Sequence, residues 1–301
     1  MSLPEVKIPP IQLHQFGILL VLVWLGKRYA NLYPDGWLIA ALLVWAFLLE
    51  HAWLFWRYGP IRRRSDFSWS ALSTTLGIVL MMASAQPFPY LVAVTWALTQ
   101  KHLIRIGRYH FFNPSNVALI VALLLFYNQA HLIMGQMGQS LWLQGVVLVL
   151  AATILMRVDR WIIPVVFAAC YVWGQSQWIV GYDPMITFRE VAERFYSVSF
   201  TVFMAFMLTD PHTTPSKRTH QMVFGLVVAL MTVALDRWSG FRVQHPFMAL
   251  MAASVWVVPL RIEPALRRRA LVGSSVLFLL ALSAIIYLEN LPPYYLEMEG
   301  T

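Results

Sequence analysis

The sequence is dominated by apolar runs of membrane length. Eleven such runs lie near residues 13–32, 37–56, 69–86, 88–104, 114–133, 141–156, 161–179, 197–210, 219–236, 245–260 and 268–288. A bilayer core needs about 20 apolar helical residues, and the shorter runs are typical of broken or tilted helices. Because lipid cannot satisfy exposed backbone, we predict an all-α polytopic membrane helix bundle of about 10–11 transmembrane helices embedded in a lipid bilayer.

The composition agrees with a membrane protein and argues against several other classes. Of the 301 residues, 59% are hydrophobic and 12% are charged, whereas soluble domains carry roughly 25% charged residues. The formal net charge of +8 does not indicate a nucleic-acid partner, since the basic residues lie in short loops beside apolar runs. The single cysteine, Cys170, excludes an intrachain disulfide, and no thiolate metal site is expected.

The basic residues also predict an orientation. When the loop that begins at Arg57 is placed inside, roughly three quarters of the lysines and arginines fall on the inner side. This distribution predicts a multi-pass protein with its N-terminus inside and its C-terminus outside. Lys27 and Arg28 are the exception, because they fall at the outer end of the first run.

Two proline-containing segments punctuate the apolar pattern. Asn113-Pro114 opens the fifth run and Asp210-Pro211 follows the eighth. Asn and Asp are favoured helix N-caps and Pro suits the first helical position, so each pair predicts a helix start. With Thr213, Thr214 and Lys217 nearby, two such helix ends predict an anion site, for example for a flavin phosphate. The alternative interpretation is that these residues only cap buried backbone.

A weak internal repeat relates the two halves of the chain. The Pro87 and Pro114 breaks of the first half correspond to Pro211 and Pro246 in the second, five runs later. An odd displacement gives the two halves opposite orientations, as in the inverted repeats of many membrane proteins. We therefore predict one membrane domain over residues 1–301, with halves near 13–133 and 141–260 and an extra C-terminal helix at 268–288.

Two ionisable residues lie inside the second run. Glu50 and His51 fall about 10 Å from the inner end of that helix. Ionisable residues at such depth are functional candidates by default, and we expect a proton or cation path here. The alternative is a buried pair that ties this helix to a neighbour.

At the proline breaks the sequence resembles the NqrB/RnfD family, the membrane subunits of sodium-pumping NADH:quinone oxidoreductase and of the Rnf complex. Three segments carry the resemblance: Ala205 to Pro211 with the later Gly225, Phe112-Asn113-Pro114, and Pro246 to Leu260. The Asn113 and Asp210 segments are more similar to a divergent branch of this superfamily associated with enediyne biosynthesis clusters. The resemblance implies a bacterial inner (cytoplasmic) membrane and other membrane subunits as partners.

One family feature is missing. The electron-carrying members attach FMN to the threonine of a Ser-Gly-Ala-Thr segment, which this sequence lacks. The corresponding loop, residues 128–140, contains no threonine. Covalent FMN is therefore not expected, while a non-covalent flavin, a quinone or no cofactor stay open.

Three functions remain as hypotheses. The first is a subunit of an electron-transfer or ion-translocating complex, so that the chain is at most part of an oxidoreductase or translocase. The second is a non-catalytic accessory subunit that has kept the fold. The third is a channel or transporter for a small solute, which has little polar lining to support it. No metal site is predicted, and no nucleophile and base are spaced for catalysis.

Overall fold

The computed structural model describes residues 11–59, 69–107, 109–133, 140–182, 185–195 and 197–291. Helices α1 to α13 are Ile11–Tyr29, Gly36–Tyr58, Trp69–Met81, Pro87–Leu103, Pro114–Leu125, Leu141–Val158, Ile162–Trp178, Phe188–Phe195, Val198–Val202, Arg218–Ser239, His245–Ser254, Val257–Arg261 and Pro264–Glu289. A π-helical turn, Phe203–Met207, continues α9. The short strands β1 to β4 are Met82–Ala83, Arg105–Ile106, Tyr109–His110 and His131–Leu132.

The predicted all-α membrane bundle is confirmed. Each of the eleven apolar runs overlaps a helix or a pair of short consecutive helices. Four described helices, α2, α6, α10 and α13, are long and apolar enough to cross a membrane by themselves. Residues 134–139, inside the loop where a flavin-attachment motif was sought, lie outside the described residues.

Helices of two lengths occupy different layers. The four long helices expose most of their apolar surface, with only 22% to 39% of each spanning window buried. By contrast, α11 has ten residues and all of them are buried, and Ala71 to Met81 of α3 are buried as well. Apolar side chains that face outward on long helices are suited to lipid, so the long helices form an outer shell around short inner ones.

The short inner helices end inside the protein, and other groups satisfy their ends. Helix α5 has 12 residues and is therefore about 18 Å long, well short of a bilayer core of about 30 Å. The segments that follow α3 and α5 pair as the antiparallel strands β1 and β4, with Met82 opposite Leu132. The Tyr90 hydroxyl also donates to the Met82 carbonyl at 2.8 Å. Irregular backbone is tolerated at membrane depth where protein covers it in this way.

The helix packing repeats between the two halves. In the first half, α1 packs on α3, α2 on α4, and α4 on α5. The corresponding pairs of the second half, α6 on α9, α7 on α10, and α10 on α11, pack together as well. The halves meet where α5 contacts α11, and the Asn116 side-chain amide donates to the Phe247 carbonyl at 3.0 Å. This packing is consistent with the predicted inverted five-helix repeat, which stays a prediction. The extra helix α13 packs on α11 and α12.

Phe188, Val191, Ala192 and Phe195 recur at helical spacing in a polar segment of mixed charge, which predicts a short amphipathic helix on the outer surface. Helix α8 is present there, but its Val191 and Arg194 are buried. One face of α8 therefore packs into the protein, and the reason is an ionic contact of Arg194 described below.

Candidate functional site

Asn113 is the first component of the site, and the α5 N-terminus positions it. Its side-chain oxygen accepts from the Asn116 N–H at 3.0 Å, as predicted for an N-cap, and Pro114 occupies the first helical turn. The Asn113 amide nitrogen points the other way and donates to Asp210 Oδ2 at 3.1 Å. The Asn113 side chain thus caps helix α5 in the first half of the chain and hydrogen-bonds Asp210 in the second half.

Asp210 does not start a helix, so its prediction as an N-cap is wrong. Helix α10 begins at Arg218, and residues 211–217 form a turn closed onto Asp210. Asp210 Oδ1 accepts from the His212 N–H at 2.9 Å, and its backbone carbonyl accepts from the Thr214 hydroxyl at 2.7 Å. The π-helical turn, which ends at Met207, three residues before Asp210, widens the helix end, a distortion common at functional sites.

Arg261 gives the physical reason for the turn. One guanidinium nitrogen donates to the carbonyl oxygens of Pro211, His212 and Thr214 at 2.7, 3.0 and 3.1 Å. Those carbonyls would accept from backbone N–H groups if the segment were helical. Because a residue 47 to 50 positions away supplies this contact, the local sequence could not predict it.

A cavity of about 460 Å³ lies beside the Asn113–Asp210 contact. Four helices and the β2–β3 hairpin wall it. Its lining residues are Ile11, Gln12, Gln15, Leu19, Ser70, Ser73, Thr74, Gly77, His110, Asn113, Pro114, Ser115, Val202, Phe206, Met207, Asp210, Pro211 and His212. Apolar walls with a few convergent polar groups are typical of small-molecule sites, whose volumes run from about 300 to 1,000 Å³.

Three protonatable groups converge on this cavity. Asp210, His110 and His212 all line it, and the two imidazole rings lie 5.8 Å apart. Burial lowers the pKa of His110 to about 4; the Asp210 carboxylate opposes this shift and the His212 ring adds to it. His110 Nδ1 lies 2.8 Å from the Phe112 carbonyl, which places the proton of the neutral ring on Nδ1. His110 is therefore an uncharged base at neutral pH.

The other residues of the predicted anion site do not reach the cavity. Thr214 is buried and donates to the Asp210 carbonyl, while Thr213 is buried with no hydrogen-bond partner for its hydroxyl among the described residues. Lys217 is exposed at the N-terminus of α10. Among the described lining residues there is no lysine or arginine.

The structure separates Glu50 from His51. Glu50 is buried, and its carboxylate lies 2.8 Å from Lys101 Nζ and 3.1 Å from His102 Nε2. The His51 ring lies against Phe47 of its own helix, and its Nδ1 lies 2.7 Å from the Phe47 carbonyl. Glu50 thus ties α2 to α4 through two basic partners, and the predicted ion path through both residues stays a prediction.

A second buried ionic cluster escaped the sequence analysis. Asp236 accepts from His245 Nδ1 at 2.6 Å and from the Gln175 amide at 2.5 Å, with Arg194 at 3.5 Å. His245 Nε2 faces Glu289 at 3.2 Å. With a carboxylate at each ring nitrogen, His245 is positioned as an imidazolium. Each residue lay at or near a predicted helix end, where charge is ordinary, so only the α7–α8–α10–α11–α13 packing shows that they share a site.

Comparison with known proteins identifies a family model that matches the chain. The model of the NQR2, RnfD, RnfE family matches residues 75–260, more than half of the chain. The matched segment contains Asn113, Asp210, Asp236 and His245, whereas Glu50 and Glu289 lie outside it. No curated protein matches the chain.

Proposed function

The chain belongs to the NQR2, RnfD, RnfE family, and we propose that it is a membrane subunit of an electron-transfer or ion-translocating complex whose cavity beside Asn113 and Asp210 binds the headgroup of a quinone. The observation that carries this proposal is the cavity itself. It lies where the two halves of the chain meet, most of its lining residues belong to the matched segment, and three protonatable groups line it.

The lining favours a quinone over a flavin mononucleotide. A flavin phosphate carries negative charge and is ordinarily held by Arg, Lys or free backbone N–H groups. Here the described lining has no Lys or Arg, the His212 N–H is occupied by Asp210, and the Asp210 carboxylate would repel a phosphate. A quinone ring is neutral, its two carbonyl oxygens accept hydrogen bonds, and hydroxyl and amide donors are present in the lining.

The residues of the chain would supply orientation and protons. When bound, a quinone supplies two-electron chemistry that is coupled to proton uptake. Asn113 holds Asp210 in place through its amide, and the neutral His110 imidazole is the base that lines the cavity beside Asp210 and His212. The apolar side of the lining, which includes Phe206 and Met207, limits access of water.

Partner subunits complete the proposal. No segment of this sequence matches the covalent FMN motif of electron-carrying relatives, so we place the other redox groups on partner proteins. The family resemblance and the charge distribution support a bacterial inner membrane with the Asn113–Asp210 cavity opening towards the cytoplasm.

A pair of matched serine variants tests the proposal. Ser73 lines the cavity and Ser283 lies on the exposed face of α13, and each hydroxyl donates to the carbonyl four residues earlier. We expect Ser73→Leu to fill the cavity and abolish binding of a short-chain quinone analogue, measured by calorimetric titration of the detergent-purified protein. Ser283→Leu should bind like the wild type. Equal binding by Ser73→Leu and wild type would refute the cavity as the site.

An accessory subunit is the second candidate. It is favoured by the missing flavin motif and by the two buried ionic clusters, in each of which the charged side chains pair within the cluster. An absorption spectrum of the purified protein and mass spectrometry of its organic extract separate the candidates. Released quinone supports the first, whereas an extract with lipid alone, together with no analogue binding, supports the second.

A further inference from the structure

A second cavity, of about 450 Å³, is a groove on the opposite side of residues 211–215. Helices α10, α11, α12 and α13 form its walls. Its lining residues are Pro215, His220, Val223, Phe224, Val227, Met231, Ala252, Ala253, Trp256, Val257, Leu260 and Phe278. All but His220 are apolar, and the Trp256 ring packs against Phe278 in a tilted arrangement, with ring centroids 5.7 Å apart.

The groove opens towards lipid and has the length of one leaflet. Val223 and Leu260 are 57% and 55% exposed, so the groove is a surface feature of the lipid-facing shell. Along α10 it extends from His220 to Met231, which corresponds to about 17 Å at 1.5 Å per residue. Half of a bilayer core is about 15 Å, so a single acyl chain matches the groove in length.

Basic residues gather at one end of the groove. Lys217 and Arg218 stand at the start of α10, and the first turns of α13 carry three consecutive exposed arginines, Arg267 to Arg269. The far end of the groove, at Met231 and Ala252, is apolar. Arg261 is close in sequence but is engaged with the carbonyls of residues 211–214. The charge is therefore placed where the headgroup of an inserted lipid would lie.

We propose that this groove binds an anionic phospholipid, with one acyl chain between α10 and α13 and the phosphate at the basic end. Lipid tails gain little from exchanging one apolar surface for another within a bilayer, so the cations must supply the selectivity. A quinone tail or a partner helix would also fit an apolar surface, but a negatively charged headgroup is the occupant that five cations near one end would attract. The site is separate from the Asn113–Asp210 cavity and does not depend on its proposed function.

Native mass spectrometry of the detergent-purified protein, after exchange into phosphatidylglycerol or phosphatidylcholine, tests the headgroup. We expect one retained phosphatidylglycerol per chain and at least about tenfold less phosphatidylcholine. Replacing Arg267, Arg268 and Arg269 by Gln should reduce retention of phosphatidylglycerol at least about tenfold, while Arg189→Gln, a change of an exposed cation on α8, should leave it unchanged. Inorganic phosphate should not displace the lipid.

A second pair of variants tests the groove. Val227 lines it and Val272 is an exposed valine of α13 that does not. Val227→Trp should expel the lipid and Val272→Trp should retain it, with both proteins showing wild-type thermal unfolding. Equal retention of the two lipids, an unchanged lipid content in Val227→Trp, or a quinone or partner helix recovered in the groove would overturn the proposal.

Discussion

Asp236 gives the sharpest test of the buried ionic cluster. We consider Asp236→Asn, which keeps the shape of the side chain and removes its charge. The carboxylate contacts His245 Nδ1 at 2.6 Å and Arg194 at 3.5 Å, and both cations are buried. Removing one partner of a buried pair costs about 3–5 kcal/mol, because the remaining charge lies in a poorly solvating interior. Because His245 would still have the Glu289 carboxylate at 3.2 Å, we expect a loss of stability at the lower end of this range, about 3 kcal/mol.

The measurement is the free energy of unfolding in mixed detergent micelles, with Glu193→Gln as the control. Glu193 pairs with Arg189 at 2.8 Å, but the two side chains are 40% and 82% exposed, so this change should cost less than about 1 kcal/mol. A double-mutant cycle of Asp236→Asn with His245→Gln should give a coupling of about 1–3 kcal/mol. If Asp236→Asn and Glu193→Gln destabilised the protein equally, Asp236 would not be pairing with buried cations in the folded protein.

Three further predictions concern other parts of the molecule. Gly225→Ala on α10 would place Cβ 2.8 Å from a backbone oxygen of α7 and should destabilise the protein by about 1–3 kcal/mol. Gly145→Ala has open space around its Cβ and should stabilise the protein by up to about 1 kcal/mol. Chemical unfolding of both variants measures the difference. His110 binds its proton less readily when folded, so stability should fall by about 1.4 kcal/mol per pH unit as the pH drops from about 6.5 towards 4, and His110→Gln should remove this slope in unfolding curves across that range. Glu50→Gln should lower the unfolding midpoint, because it leaves the charge of buried Lys101 without a partner. The double variant Glu50→Gln with Lys101→Met should recover most of the lost midpoint. An unchanged midpoint in Glu50→Gln would show that the pair contributes nothing to stability.

The sequence was sufficient for the features that depend on local chemistry. Apolar run length located the helices, and Asn113 before Pro114 identified the N-cap of α5. It failed where a distant group decides the outcome. Asp210 has the same local signal as Asn113, yet Arg261, 47 to 50 positions further along the chain than the carbonyls it contacts, holds the residues after Asp210 in a turn. Glu50 likewise pairs with residues of α4, 51 or 52 positions away in sequence, and not with the neighbouring His51.

The two proposed sites differ because the two helix layers differ. A long helix facing lipid cannot break without exposing backbone to hydrocarbon, so α10 and α13 can form an apolar groove but not a polar cavity. Broken helices survive only where protein surrounds them, and there the freed N–H and C=O groups, with their capping side chains, make a polar cavity possible. Pro211 lines the cavity and Pro215 lines the groove, so one short segment separates the two sites. Arg261 fixes that segment by donating to three of its carbonyls. The polar wall of the cavity and the apolar wall of the groove therefore both belong to a single rigid turn.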